Sequence, residues 1–303
     1  MCGRYTYLLT WGEIIQLYGL TGGGGSQGDG AAPPEPAEFR KRYNQAPTEL
    51  APVVRIKPAP DGKPRRELVM LQWGWGKMRS GNEWINGRSE GIATSGAYAQ
   101  SFRRRRCLIP ASGFFEWRKM PSGRKAPYWI GMKDKAPFAL AGLWKELADP
   151  KTGELQDRFL VLTCPSNELA AELHNRMPVI IDVADYDRWL SAEDPPVDLL
   201  RPYPAEKMTA YEIGQQINKR GYDAPDVIDP APSQISRPGL RDTGVQRHFL
   251  GPVPGPAPSL AGTTVKTQRK ASVISMAYAT KRNSVPSIHS ASADFAPWAS
   301  AIV

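Results

Sequence analysis

Polar and apolar positions change rhythm only a few times along this chain. Trp11, Ile14, Ile15 and Tyr18 recur at the spacing of one helix face, with Thr10 and Glu13 as a capping box in front and Gly19 behind. Short apolar runs follow at residues 51–56, 68–73, 107–109, 113–117, 128–132, 138–144 and 159–163, and predict strands. Pro121-Ser122-Gly123, Lys133-Asp134-Lys135 and Asp149-Pro150-Lys151-Thr152-Gly153 separate several of them with turn chemistry, so neighbours are expected to pair as antiparallel hairpins. A helix is expected over residues 167–174, with Ser166 as N-cap and His174 at its end. Asp182 opens another, with Tyr186, Trp189 and Leu190 facing inward. The pattern is α+β with a mainly antiparallel sheet.

Two stretches break the rhythm. Residues 22–36 are rich in Gly, Pro and Ala and read as a flexible insertion. Near residue 230 the composition shifts to Pro, Ser, Ala and Gly without periodicity. One domain over residues 1–230 and a disordered tail over 231–303 are therefore expected. The tail holds eight Lys+Arg against two Asp+Glu, so it carries +6 of the chain's net +9. The body is only mildly basic, which does not imply a general polyanion-binding surface. No run is long enough to span a bilayer and no signal peptide opens the chain, so a cytoplasmic protein is expected. Three cysteines without close pairing speak against a disulfide framework, and three histidines without a CxxC speak against structural zinc; no cofactor is expected.

Candidate chemistry begins at the first residues, Met1-Cys2-Gly3-Arg4-Tyr5. Loss of Met1 leaves Cys2 with an α-amine and a thiol on one skeleton. The amine condenses with an aldehyde to an imine, and the thiol closes onto the imine carbon as a thiazolidine. Reference pKa values of about 7.7–8.0 and about 8.5 leave both groups partly nucleophilic near neutrality. A frayed terminus is the plain alternative.

Further along, Asn86, Arg88 and Glu90 share one face if the segment is extended, and such a set orients an anion; a solvated strand face gives the same pattern. Glu116 lies in the aromatic run Gly113-Phe114-Phe115-Glu116-Trp117, where partial desolvation suits a carboxyl to proton transfer, unless it faces water at a sheet edge. His174, the body's only histidine, titrates near neutrality, although a lone histidine is often structural. Arg103, Arg104, Arg105 and Arg106 form a run that, if extended, alternates faces and presents guanidinium forks to phosphates. Cys107 and Cys164 read as core thiols.

Together these segments resemble the SOS-response-associated peptidase family of abasic-site processing proteins. Four blocks match in order: Met1-Cys2-Gly3-Arg4-Tyr5; Asn86-Gly87-Arg88-Ser89-Glu90; Arg105-Arg106-Cys107-Leu108-Ile109-Pro110 with Gly113-Phe114-Phe115-Glu116-Trp117; and His174-Asn175-Arg176-Met177-Pro178. Arg42-Tyr43-Asn44-Gln45-Ala46-Pro47, Trp73-Gly74 and Ala141-Gly142-Leu143-Trp144 match less fully. The resemblance implies a compact domain on a curved, barrel-like sheet with flanking helices. It implies a monomer that binds abasic sites in single-stranded DNA and single/double-strand junctions, associated with the nucleoid in a bacterium or the nucleus in a eukaryote. It also implies a thiazolidine crosslink through processed Cys2, with Asn86, Glu116 and His174 assisting, Arg4 and Arg88 on phosphates, and Trp73 and the arginine run in the DNA-binding set. The family name adds autoproteolytic peptidase activity.

The chain departs from the family at Gly87, Ser89, Ser112 and Asn175, and in the loop Trp75-Gly76-Lys77-Met78-Arg79. Two other functions stay open at this level: a thiol autopeptidase using Cys2 as N-terminal nucleophile, and a non-covalent binder of damaged single-stranded DNA.

Overall fold

The computed structural model describes residues 2–20, 33–58, 64–149, 152–191 and 193–232. Met1, most of the Gly/Pro-rich insertion and the expected tail beyond Pro232 lie outside the described residues.

Five strands close into a barrel: β3 (Leu50–Pro58), β4 (Pro64–Trp73), β6 (Arg106–Ala111), β9 (Phe138–Ala148) and β10 (Leu155–Pro165). In the order β4–β3–β6–β9–β10 every step is antiparallel. Four reversals return β10 to the direction of β4, so the closing pair must be parallel, and it is, with Arg158 beside Gln72 and Phe159 beside Trp73. This parallel seam joins segments far apart in sequence, so no hairpin signal announces it. Closure removes the edges that an open sheet would leave unpaired. Alternate residues point in and out, and β6 is buried along its whole length because α4 (Tyr186–Ser191) covers its outer side.

The second sheet is fully antiparallel and runs β13–β8–β7–β1–β2. Its strands are β1 (Tyr5–Tyr7), β2 (Arg42–Gln45), β7 (Gly113–Lys119), β8 (Lys125–Met132) and β13 (Met208–Glu212). Three short strands complete the set: β5 (Asn86–Arg88), parallel to β10; β11 (Arg176–Pro178) on β10; and β12 (Ile180–Ile181) on β9.

Aromatic rings join the two sheets. Tyr5 of β1 meets Trp73 of β4 edge-on with centroids 5.3 Å apart, and Trp73 stacks on Phe159 of β10 at 6.2 Å. A ring burying this much area dominates local packing, so β1 is held against the barrel. The Trp73 indole N–H donates to the Ile85 carbonyl at 3.0 Å. Trp73 is completely buried. Its expected place in the DNA-binding set is therefore corrected: it holds the two sheets together.

The expected helix at Trp11 is α1 (Trp11–Leu17), with the reciprocal Thr10–Glu13 capping box in place. Pro33, at the end of the supposed insertion, is engaged with it, its carbonyl accepting from the Trp11 indole at 2.8 Å. The expected helix over 167–174 is shorter. Asn167, not Ser166, caps α3 (Glu168–Ala171), and His174 falls beyond its end. An asparagine oxygen at Ala170 N fixes the start one residue late, and Ser166 instead donates to the His174 carbonyl at 2.7 Å.

The four-arginine run is not extended. Arg103 and Arg104 end α2 (Ala99–Arg104), Arg105 caps it, and Arg106 opens β6. Arg106 is buried and donates to the carbonyls of Trp189, Phe102 and Arg103 at 2.5–2.8 Å, so its expected phosphate role is corrected to a structural one. Arg105 lies 5.4 Å over the Trp144 ring. Only Arg103 and Arg104 are exposed.

Candidate active site

The register of β1 against β7 builds the site. Tyr5 pairs with Phe114 and Thr6 with Gly113. The Phe115 N–H then donates to the Arg4 carbonyl at 3.0 Å, extending the ladder backwards. Continued by one residue, it carries the start of the chain past Glu116. Cys2 is fully buried there.

From the other side β5 delivers Asn86. Its Nδ2 donates to the Cys2 carbonyl at 2.9 Å. Only the NH₂ of the amide can donate to a carbonyl, so the other end, Oδ1, is fixed as an acceptor. That Oδ1 is buried and has no hydrogen-bond partner among the described residues. A buried acceptor without a donor is uncommon in a folded protein and marks a place where a ligand group belongs.

Glu116 is a buried carboxyl on an aromatic strand, as one of the two sequence readings anticipated. Burial raises its pKa to about 7, against the opposing positive charge of the chain's amino terminus. It therefore exchanges protons near neutrality. Burial also pushes the Cys2 thiol far above the ordinary cysteine range, and the Glu116 charge pushes it the same way. Cys2 is held as a protonated thiol, not a preformed thiolate.

His174 is half-buried. Its Nδ1 accepts the Arg176 backbone N–H at 3.0 Å, so the neutral ring carries its proton on Nε2. Burial, followed by the amino-terminal charge, holds its pKa below the usual value. The same amino-terminal charge acts on Glu116 and His174, and Glu116 acts on Cys2, so these residues and Asn86 converge on one place.

Arg4 is half-buried at the rim. Its Nη1 donates to Asn44 Oδ1 at 2.8 Å and to the Ile217 carbonyl at 3.5 Å. Both acceptors are neutral, and no carboxylate contacts it among the described residues. Burial lowers its pKa, and the Glu49 charge partly opposes this. Arg88 is exposed at the end of β5.

The sequence grouped Glu90 with Asn86 and Arg88 as an anion-orienting face, and this is corrected. Glu90 lies beyond β5 and grips Arg176 through both carboxylate oxygens, which lowers its pKa to about 2. Arg176 also donates to the Thr163 carbonyl at 2.5 Å, and its own N–H orients His174. Arg176 and Asn44 are thus site-building residues that sequence reasoning passed over. Both lay inside matched blocks, but without a fold nothing tied them to His174 and Arg4.

The departures have visible consequences. Ser112 Oγ accepts the Leu8 N–H at 3.0 Å, keeping β1 in line at its far end. A methyl at Gly87 would stand 3.1 Å from a Leu162 methyl and 3.3 Å from the Tyr98 ring. In the loop after Trp73, Gly74 has φ +129°, and a Cβ there would lie 2.5 Å from Glu83 Oε1, which accepts the Gly76 N–H at 2.7 Å.

A sequence profile described as SOS response associated peptidase (SRAP) matches residues 1–220. The chain is 30% identical over 239 residues to the abasic site processing protein YoqW of Bacillus subtilis, covering 76% of this chain and 99% of that one. It is 26% identical over 226 residues to the abasic site processing protein HMCES of Xenopus tropicalis, covering 63% and 66%. A crystal structure of a protein from Bacteroides thetaiotaomicron superposes with a TM-score of 0.53 at 25% identity, over 63% of this chain and 85% of that one. With the profile spanning well over half of its length, this chain belongs to the SOS response associated peptidase family.

Proposed function

We propose that this protein captures abasic sites in single-stranded DNA by forming a thiazolidine through Cys2. The observation that carries this reading is the grip of Asn86 on the Cys2 carbonyl, with its buried Oδ1 left as an acceptor in a site shared with Glu116. Removal of Met1, by the family's peptidase activity or by a separate aminopeptidase, places an α-amine where that acceptor and Glu116 meet it.

The free amine attacks the aldehyde carbon of the ring-opened sugar. Glu116, with a pKa of about 7, takes a proton from the amine and returns one to the departing hydroxyl, which leaves as water. The Cys2 sulfur then adds to the imine carbon, and its proton passes to the ring nitrogen. A thiol held in its protonated form suits this order, because the amine acts first. The Nε2–H of neutral His174 supplies a hydrogen bond to oxygen at the sugar. Arg4, whose charge is oriented but not neutralised, and exposed Arg88 bind flanking phosphates. The similarity to the abasic site processing proteins YoqW and HMCES supports abasic-site processing for this chain. We place the whole activity in residues 1–230.

Intact mass spectrometry of the full chain after mixing with single-stranded DNA carrying one abasic site tests the proposal. The expected result is a heat-stable adduct that lacks Met1 and one water. Retained gel-shift affinity without an adduct overturns the covalent reading in favour of simple binding. Cleavage of an added peptide without an adduct overturns it in favour of a thiol peptidase.

A further inference from the structure

The position of Arg4 is set by a segment that starts inside the family profile and ends beyond it. After β13 the chain forms a short 3-10 turn (Gln215–Asn218), reverses at Gly221 with φ +75°, and returns to β2. Ile217 and Val227 anchor this stretch in a small second core with Phe115, on the strand that carries Glu116, and Trp129 of β8.

Asp223 makes the key contacts. Its Oδ1 accepts the backbone N–H groups of Tyr43 at 2.7 Å and Asn44 at 2.8 Å, and its Oδ2 pairs with Arg42 Nε at 2.6 Å. Asn44 is thereby fixed in backbone. Its side chain is fixed as well: Nδ2 donates to the Tyr222 carbonyl at 2.7 Å, which leaves Oδ1 to receive Arg4 Nη1 at 2.8 Å. The acidic charge of Asp223 is engaged by Arg42 and two N–H groups, one residue short of Arg4. Arg4 gains orientation through a neutral amide and keeps its charge for an anion.

We propose that Asp223 is a positioning residue for DNA-phosphate binding, acting on Arg4 through Asn44. This inference rests on the reading of Arg4 as a phosphate contact. Nothing in the family profile, which ends at residue 220, points to Asp223.

The test measures affinity for single-stranded DNA bearing an unreactive abasic analogue, across a salt series, by fluorescence anisotropy with the full chain. Asp223→Ala and Asn44→Ser are each made with Arg4 present and with Arg4→Ala, and melting is followed in parallel. Asn44→Ser serves if Asp223→Ala does not fold. With Arg4 present, each substitution is expected to weaken binding about tenfold. Each should also flatten the salt dependence by about 0.7 log units per log salt, the mark of one lost phosphate contact on a single strand. In the Arg4→Ala background the same substitutions should change affinity by less than about twofold, because the relay has nothing left to position. Equal losses in both backgrounds, or a weakened affinity with an unchanged salt slope, overturn the relay. Failure of the unmodified protein to bind, or indifference to Arg4→Ala, would overturn the phosphate reading of Arg4 itself and is told apart by that control.

Discussion

The barrel and the five-stranded sheet use their charged residues differently near Cys2. Around the barrel, three buried arginines meet carboxylates: Arg55 is paired with Glu67 at 2.6 Å and Asp157 at 2.7 Å, Arg158 with Asp149 at 3.1 Å, and Arg176 with Glu90. On the sheet, Arg4 is held by an amide and a carbonyl, and Glu116 sits among rings with its pKa raised to about 7. Buried ions are normally paired because desolvation is costly. These barrel pairs follow that rule and serve as scaffold, as does the Arg42–Asp223 pair on β2. The sheet carries a carboxyl of raised pKa beside Cys2, and perturbed groups of this kind concentrate where chemistry occurs.

The largest expected effect falls on the sheet. Cys2→Ala removes the sulfur that closes the ring, and should abolish the stable adduct while leaving DNA affinity in place. Mass spectrometry after heating reads this directly. A persistent adduct of thiazolidine mass in that variant would put the reactive group elsewhere and erase the contrast between the two regions.

Next is Glu116→Gln, expected to slow crosslinking about 10²–10⁴-fold, the usual range for a positioned acid–base group. His174→Ala should slow adduct formation or its reversal less, since Cys2 retains its own reactivity. Stability offers a second readout. The folded-state pKa of Glu116, about 7, lies above its unfolded value. Its contribution is therefore complete below the unfolded pKa and is lost as pH rises through about 7. Between mildly acidic pH and pH 8 the unmodified protein should lose stability relative to Glu116→Gln. Parallel denaturation curves would show Glu116 to be an ordinary solvated carboxylate.

Trp73→Ala tests the barrel side. Removing a fully buried indole that bridges Tyr5 and Phe159 should cost about 3–5 kcal/mol, measured by urea unfolding. A loss in DNA affinity with unchanged stability would restore the surface role that the sequence suggested.

What was legible in the sequence follows from how local each signal is. The Thr10–Glu13 cap and the strand runs depend on neighbours within a few residues, and they stand where expected. The parallel seam between β4 and β10, and the pairing of β5 with β10, depend on segments 86 and 75 residues apart and left no local trace. Glu116 was legible because a carboxylate in an aromatic strand is chemically conspicuous. Asn44 and Asp223 were not, because an asparagine and an aspartate near turns look like turn chemistry until the contact across 179 residues is seen. Trp73 and Arg106 misled for the converse reason. Residue types suited to DNA also suit a core ring and a capped guanidinium.

The smallest expected effects divide the arginines. Arg88 and Arg104 are exposed, and each is expected to contribute one phosphate contact, so Arg88→Ala and Arg104→Ala should each flatten the salt dependence of DNA binding by about 0.7. Arg106→Ala should leave that slope unchanged. Its guanidinium serves the carbonyls of Phe102, Arg103 and Trp189, so its loss strands buried acceptors and lowers the melting temperature instead. Two neighbouring arginines, one affecting only the salt slope and one only the melting, would reproduce within a few residues the contrast between a surface that binds and a core that supports it. If Arg106→Ala alone moved the salt slope, the run would have to be read as the continuous phosphate track that its sequence first suggested.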